Sequence, residues 1–129
     1  MAIIGTGIDL IEIHRIQEAV EKFGDHLLSR VFSEKEIAYA AGKMNPYPSL
    51  AARFAAKEAF IKALSPISTD GLSLNEIELV AEEGLKKPGF TFYGRSRAVV
   101  ESSGITGIMV SLTHSREYAA AVVVLESKP

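Results

Sequence analysis

Six polar side chains stand where the surrounding sequence asks for burial, and together they could perform phosphoryl chemistry. Asp9 lies inside the isoleucine-rich run Ile3–Ile13, and a carboxylate buried there must be paired, protonated or bound to a cation. Arg53, Lys57, Glu58 and Lys62 lie on a segment whose remaining positions are mostly alanine, phenylalanine, isoleucine and leucine. His114 closes the apolar run that ends in Ser111-Leu-Thr-His114. Asp9 and Glu58 could supply two oxygen ligands to a magnesium ion, a hard cation that keeps water or substrate phosphate in the rest of its shell. Lys57, Lys62 and Arg53 would complement phosphate, and His114 could contact a ligand.

Each of these residues also has a plainer reading. Asp9 at a strand end could cap a turn. Glu58 and Lys62 form an i,i+4 pair in the favourable orientation for an ordinary helix salt bridge. A lone histidine at a hairpin corner is often structural. His14 and His26 have no apolar context and read as surface residues. Spacing alone does not bring residues 9 and 58 together; the fold must.

The elements that would position these groups follow from periodicity. Ile3–Ile13 is apolar on both faces and predicts a buried strand. Ile13, Ile16, Val20 and Phe23 share one helical face, closed by Gly24. Ser33 and Glu36 make a capping box for a short helix over Glu34–Ala41, followed by a turn at Asn45–Pro48. Ser49–Leu64 is the longest helix, stopped by Ser65 and Pro66. Leu50, Phe54, Ile61 and Leu64 form its large apolar face, and alanines cover much of the rest. After the loop Ser65–Ser73, Ile77, Leu79 and Ala81 alternate with acids as a strand. Gly84–Gly89 turns the chain into a second strand at Phe90–Tyr93. Ser96–Ser103 reads as a helix ended by Gly104. Ile108–Thr113 and Tyr118–Leu125 read as a hairpin around the corner His114–Glu117. No repeat or long linker divides residues 1–129, so the expectation is one α+β domain, an antiparallel sheet with a long buried helix.

Composition narrows the function. The 129 residues contain no cysteine, which removes disulfides, thiolate metal sites and cysteine nucleophiles. A formal charge of −2, with no basic run, gives no nucleic-acid footprint. Asp9 and Glu12 interrupt the first apolar run, which reads as no signal peptide, and no stretch reaches the roughly 18 apolar residues of a membrane span. A cytoplasmic location is expected.

The same stretches carry a family resemblance. Gly7-Ile-Asp9-Leu-Ile-Glu12, Arg53-Phe-Ala-Ala-Lys57-Glu58-Ala-Phe-Ile-Lys62-Ala and Ser111-Leu-Thr-His114 resemble, in order and spacing, the signatures of the small 4'-phosphopantetheinyl transferases, particularly the holo-[acyl-carrier-protein] synthase branch. The resemblance covers essentially the whole chain, and the Arg53–Ala63 segment is its most specific part. It implies an α+β homotrimer with active sites between neighbouring subunits. The implied reaction transfers 4'-phosphopantetheine from coenzyme A to a serine of apo acyl carrier protein and releases 3',5'-ADP. The implied magnesium ligands are Asp9 and Glu58, with the coenzyme A pyrophosphate completing the shell, and Lys62 matches a lysine on the phosphates.

Arg53 and His114 match positions that line the coenzyme A site near its 3'-phosphate and adenosine. Lys87-Pro88 stands where family members often carry Gly-Lys-Pro at the nucleotide, with Lys86 here replacing the glycine. Glu58, a metal-bound water and His114 are the candidate bases for the serine proton. Arg15 matches an arginine that contacts the acidic carrier protein, and Lys22 extends that basic face. The default acceptor is the carrier protein of fatty acid biosynthesis. A trimeric module that binds coenzyme A or a nucleotide without turnover would use the same side chains. A plain structural trimer would leave four charges on a buried helix unexplained.

Overall fold

The computed structural model describes residues 1–81 and 87–128. The chain runs β1 (Ala2–Glu12), α1 (Ile13–Phe23), α2 (Asp25–Val31), α3 (Glu34–Ala41), α4 (Tyr47–Leu64), a 3-10 turn (Leu74–Glu76), β2 (Ile77–Val80), β3 (Gly89–Phe92), α5 (Gly94–Ser102), β4 (Gly107–His114) and β5 (Tyr118–Ser127). The five strands make two antiparallel sheets, β1-β5-β4 and β2-β3, in a single α+β domain. Among the described residues no helix is long and apolar enough to cross a membrane.

Most elements begin where local chemistry starts them. At α3, Glu36 N donates to Ser33 Oγ (3.2 Å) while Ser33 N donates to Glu36 Oε1 (2.9 Å), so the expected capping box forms. α4 starts at Tyr47 rather than Ser49, because Pro48 falls in the first turn, where its missing N–H costs nothing. At the β4–β5 corner, Ser115 Oγ accepts from the amides of Glu117 (3.4 Å) and Tyr118 (3.2 Å). Residues 84–86 of the expected turn Gly84–Gly89 lie outside the described residues; the ladder on either side of it closes at Val80 opposite Gly89.

α4 is the centre of the molecule, and eleven of its eighteen residues are buried. Its approach to the sheet is set by two glycines of β1. A Cβ added at Gly5 would lie 2.0 Å from the Ala63 carbonyl oxygen, and one at Gly7 would lie 1.9 Å from that of Ala59. Helix backbone therefore rests directly on strand backbone, and the alanines Ala55, Ala56, Ala59 and Ala63, all fully buried, let it do so. On the other side Phe60 meets Phe90 (5.4 Å) and Phe92 (5.0 Å) between ring centroids, tying the β2-β3 hairpin to the same helix.

Three expectations change. β1 is not buried on both faces: it is an edge strand, and Ile8 and Leu10 on the face away from α4 are 68% and 66% exposed. α2 and the 3-10 turn at Leu74–Glu76 occupy stretches where no helix was expected, since each is too short to show a period.

Substituting Gly7→Ala places a methyl inside the radius of a backbone carbonyl that cannot rotate away. Urea denaturation of this variant is expected to show a loss of about 2–3 kcal/mol relative to the parent.

Candidate active site

α4 divides the inner face of the three-stranded sheet into two flanks. Glu58 and Arg53 are five residues apart, which sets them about 140° apart around the helix. Glu58, Lys62 and Phe54 look toward the β1 edge, and Arg53 looks toward the β4 edge. The sheet register does the same for its own polar groups: Asp9 and Leu112 flank Ala121, while Ile11 and His114 flank Ala119. Asp9 and His114 thus share the helix-facing side of the sheet but sit on opposite edge strands, separated by β5, a span of about 10 Å.

On the β1 flank a cleft of about 410 Å³ is lined by Asp9, Leu10, Ile11, Glu12, Arg15, Phe54, Glu58 and Tyr118. The fold therefore brings residues 9 and 58 to one surface. Lys62 reaches back one turn and donates from Nζ to Asp9 Oδ1 (2.9 Å) and to the Ile8 carbonyl (3.0 Å), the latter an acceptor left open by the strand's edge position. Its ammonium stays half-exposed while the Asp9 side chain is 16% exposed, so the positive charge sits at the mouth of the site. Burial and, next, the nearby negative charge of Asp9 push the Glu58 carboxyl above the usual range, opposed by Lys62.

A divalent cation fits this donor set. Asp9 and Glu58 place two oxygen-donor carboxylates on one cleft, and among the described residues no third His, Cys, Asp or Glu joins them in a cluster that could hold a metal by itself. A metal bound here would draw the rest of its shell from water or a substrate phosphate, the usual arrangement for magnesium.

On the β4 flank a cleft of about 320 Å³ is lined by residues including Tyr39, Lys43, Ser49, Arg53, Ala81, Thr113 and His114. Arg53 donates from Nη1 to Ser49 Oγ (2.9 Å), and its guanidinium carbon lies 4.5 Å from the Tyr39 ring centroid. His114 is exposed at the rim, its Nδ1 3.4 Å from the Ser115 carbonyl oxygen. Pro88 leaves the β2-β3 ladder beside Ala81, which lines the cleft; Lys87 precedes it, exposed.

Lys57 is the correction. Its spacing suggested a phosphate ligand, but the structure buries it completely: Nζ pairs with Glu36 Oε1 (2.6 Å) and donates to the Leu74 carbonyl (2.7 Å). Desolvation pulls its ammonium below the usual lysine range, against the opposing charge of Glu36. No phosphate can reach it without opening the core.

Arg15 joins the β1-flank cleft, whereas Lys22 sits farther along α1, its Nζ 5.3 Å from the Phe23 ring centroid. Tyr39, Phe54 and Tyr118 are site-lining residues that the sequence reading did not single out. Each reads as an ordinary amphipathic position until the helix pairing and strand register are known.

The chain is similar to known proteins along nearly its whole length. Residues 5–123 match the model of the 4'-phosphopantetheinyl transferase superfamily. A holo-[acyl-carrier-protein] synthase of Syntrophus aciditrophicus is 44% identical over 122 residues, 95% of this chain and 94% of that one. The crystal structure of holo-[acyl-carrier-protein] synthase from Neisseria meningitidis superposes with a TM-score of 0.87 at 30% identity, covering 98% of this chain and all of that one. The Bacillus anthracis holo-(acyl-carrier-protein) synthase in complex with CoA (3',5'-ADP) superposes with a TM-score of 0.76 at 33% identity, covering 98% of both.

The raised Glu58 pKa has a sign that can be checked without metal. Below the unfolded-state carboxyl pKa both states are protonated and Glu58 costs nothing. As pH rises through the higher folded-state pKa, the native state must release a proton it holds more tightly, and stability is lost. With a chelator present, Glu58→Gln should match the parent at low pH and exceed it in Tm above that window, read by thermal melts across pH.

Proposed function

The chain belongs to the 4'-phosphopantetheinyl transferase superfamily, as a transferase of the holo-[acyl-carrier-protein] synthase kind, and from that premise we propose how its two flanks work. The donor is coenzyme A, the acceptor a serine of apo acyl carrier protein, by default the carrier of fatty acid biosynthesis in the cytoplasm. The pyrophosphate of the donor lies over Asp9, Glu58 and Lys62, with magnesium held by the two carboxylates. Its 3'-phosphate and adenosine lie toward Arg53, His114 and Lys87-Pro88. The observation that carries this reading is that Asp9 and Glu58 line one cleft with Arg15, while Lys62 pairs with Asp9.

In the proposed reaction the serine oxygen attacks the β-phosphorus. The bridging P–O bond breaks, and 3',5'-ADP leaves with the electron pair. Magnesium, when bound, neutralises charge that develops on the phosphoryl oxygens. Lys62 adds a second positive charge from the cleft mouth. Glu58 is the first candidate to take the serine proton, ahead of a metal-bound water and His114. Arg15, exposed at the rim, receives the acidic carrier, with Lys22 on the same surface of α1, where Glu18 and Glu21 dilute the positive charge.

One copy of the chain presents these two flanks on opposite sides of α4, and the proposed donor bridges a flank of one copy and a flank of its neighbour. The outer face of the sheet supports assembly: Ile8, Leu10, Met109 and Val122 are 40–68% exposed on adjacent strands. We take the assembly to be a homotrimer, with each site shared between two copies.

Intact-mass measurement of apo acyl carrier protein incubated with this protein, coenzyme A and magnesium tests the reading. A gain of one phosphopantetheine, abolished by chelation and reduced by about 10²-fold or more in rate by Glu58→Gln, is expected. No gain, with coenzyme A still bound, would leave a binding module without turnover.

A further inference from the structure

Among the described residues, a buried chain of hydrogen bonds links α4, α3 and the β2-β3 hairpin. Lys57 pairs with Glu36, whose other oxygen accepts the backbone amide of Leu79 (3.0 Å). Ser33 amide donates to that Glu36 carboxylate, and Ser33 Oγ donates onward to Glu78 Oε2 (2.6 Å). Glu78 Oε1 accepts from the Tyr93 hydroxyl (3.0 Å). Glu36, Lys57 and Glu78 are all at least 96% buried. Two carboxylates and an ammonium in a core are expensive, and apolar packing of equal volume would serve stability as well or better.

What the chain of bonds does have is reach. It begins on α4, passes through the start of α3, and ends on both strands of the β2-β3 hairpin, at Glu78 and Leu79 on one side and at Tyr93, just past β3, on the other. That hairpin delivers Ala81 to the wall of the Arg53–His114 cleft and carries Lys87-Pro88 beside it. The same Glu36 contact fixes the register of α3 against α4: one turn on, Tyr39 stacks on Arg53, one turn before Lys57. Among the described residues, the hydrogen bonds and ion pair of this network run to α3, β2 and Tyr93 and not to β1 or Asp9.

We infer that Lys57, Glu36, Ser33, Glu78 and Tyr93 are positioning residues for the nucleotide end of the donor, holding the β2-β3 hairpin and Tyr39 at the Arg53–His114 cleft while leaving the chemical flank alone. This rests on the proposed placement of the 3'-phosphate and adenosine in that cleft. It separates two functions along α4: the face bearing Glu58 and Lys62 does the chemistry, and the face bearing Lys57 and Arg53 sets donor affinity.

The test compares Tyr93→Phe and Glu78→Gln with the parent. Tyr93 is 40% exposed, so its variant loses one hydroxyl at the periphery and keeps its fold if the buried substitution does not. The readouts are Tm, Kd for 3',5'-ADP by calorimetry, and KM and kcat for coenzyme A. A hydrogen bond to a charged group translates to a rise of about tenfold in Kd and KM, with kcat within about twofold of the parent. Unchanged Kd and KM with a lowered Tm would reduce the chain of bonds to fastening and overturn the inference, as would an equal loss in kcat. Arg53→Ala and His114→Ala serve as controls. If neither weakens 3',5'-ADP binding, the placement of the nucleotide is wrong and the inference falls with it, distinguishably from a failure of the positioning role.

Discussion

Everything in this molecule depends on how closely α4 lies against β1. Where Gly5 and Gly7 face Ala63 and Ala59, the helix has no side-chain layer between its carbonyls and the strand. A helix pressed that closely, with hairpin aromatics against Phe60 on another side, has little wet surface left. Charged residues on it can emerge only along the two flanks or be satisfied inside the core. Glu58 and Lys62 take the first flank, Arg53 lines the second while itself buried against Tyr39, and Lys57 goes inward to Glu36. On the first flank, burial and the neighbouring charge of Asp9 hold the Glu58 carboxyl above its usual pKa, opposed by Lys62.

The inward route explains why a small domain tolerates a buried lysine. Lys57 has two partners at close range, and Glu36 uses both of its oxygens on three donors, so neither ion is left uncompensated. Apolar replacement would cost less desolvation; the inferred contribution of the polar network is direction, since each hydrogen bond admits only a narrow geometry. The elements so directed are the ones around the Arg53–His114 cleft.

Much of this was legible in the residues. The charges among alanines on one helix, and Asp9 among isoleucines, marked groups that needed a partner, and the Ser33–Glu36 spacing announced α3 correctly. The direction of each charge was not legible. Lys57 and Glu58 are neighbours in sequence, and only the tertiary packing decides that one meets Glu36 in the core and the other meets Asp9 at the surface. β1 misled for a related reason: an apolar run on both faces reads as a strand buried by its own chain, whereas the outer face remains exposed and awaits another copy in the proposed assembly. Residues 82–86 fall outside the described structure, so the expected turn there stands as a reading of the sequence.

The central claim is that α4 splits one functional site into two halves that different copies of the chain bring together. Mixing two variants, Asp9→Asn and His114→Ala, under conditions that allow subunit exchange tests it directly. With coenzyme A held well below the parent's KM, each variant alone is crippled on one flank. If a site takes its carboxylates from one copy and its histidine from the next, random mixing restores about a quarter of the sites, one half times one half, and transfer activity rises well above either parent variant. If both halves come from the same copy, every site carries one of the two lesions, and the mixture is no more active than the average of the two variants measured separately.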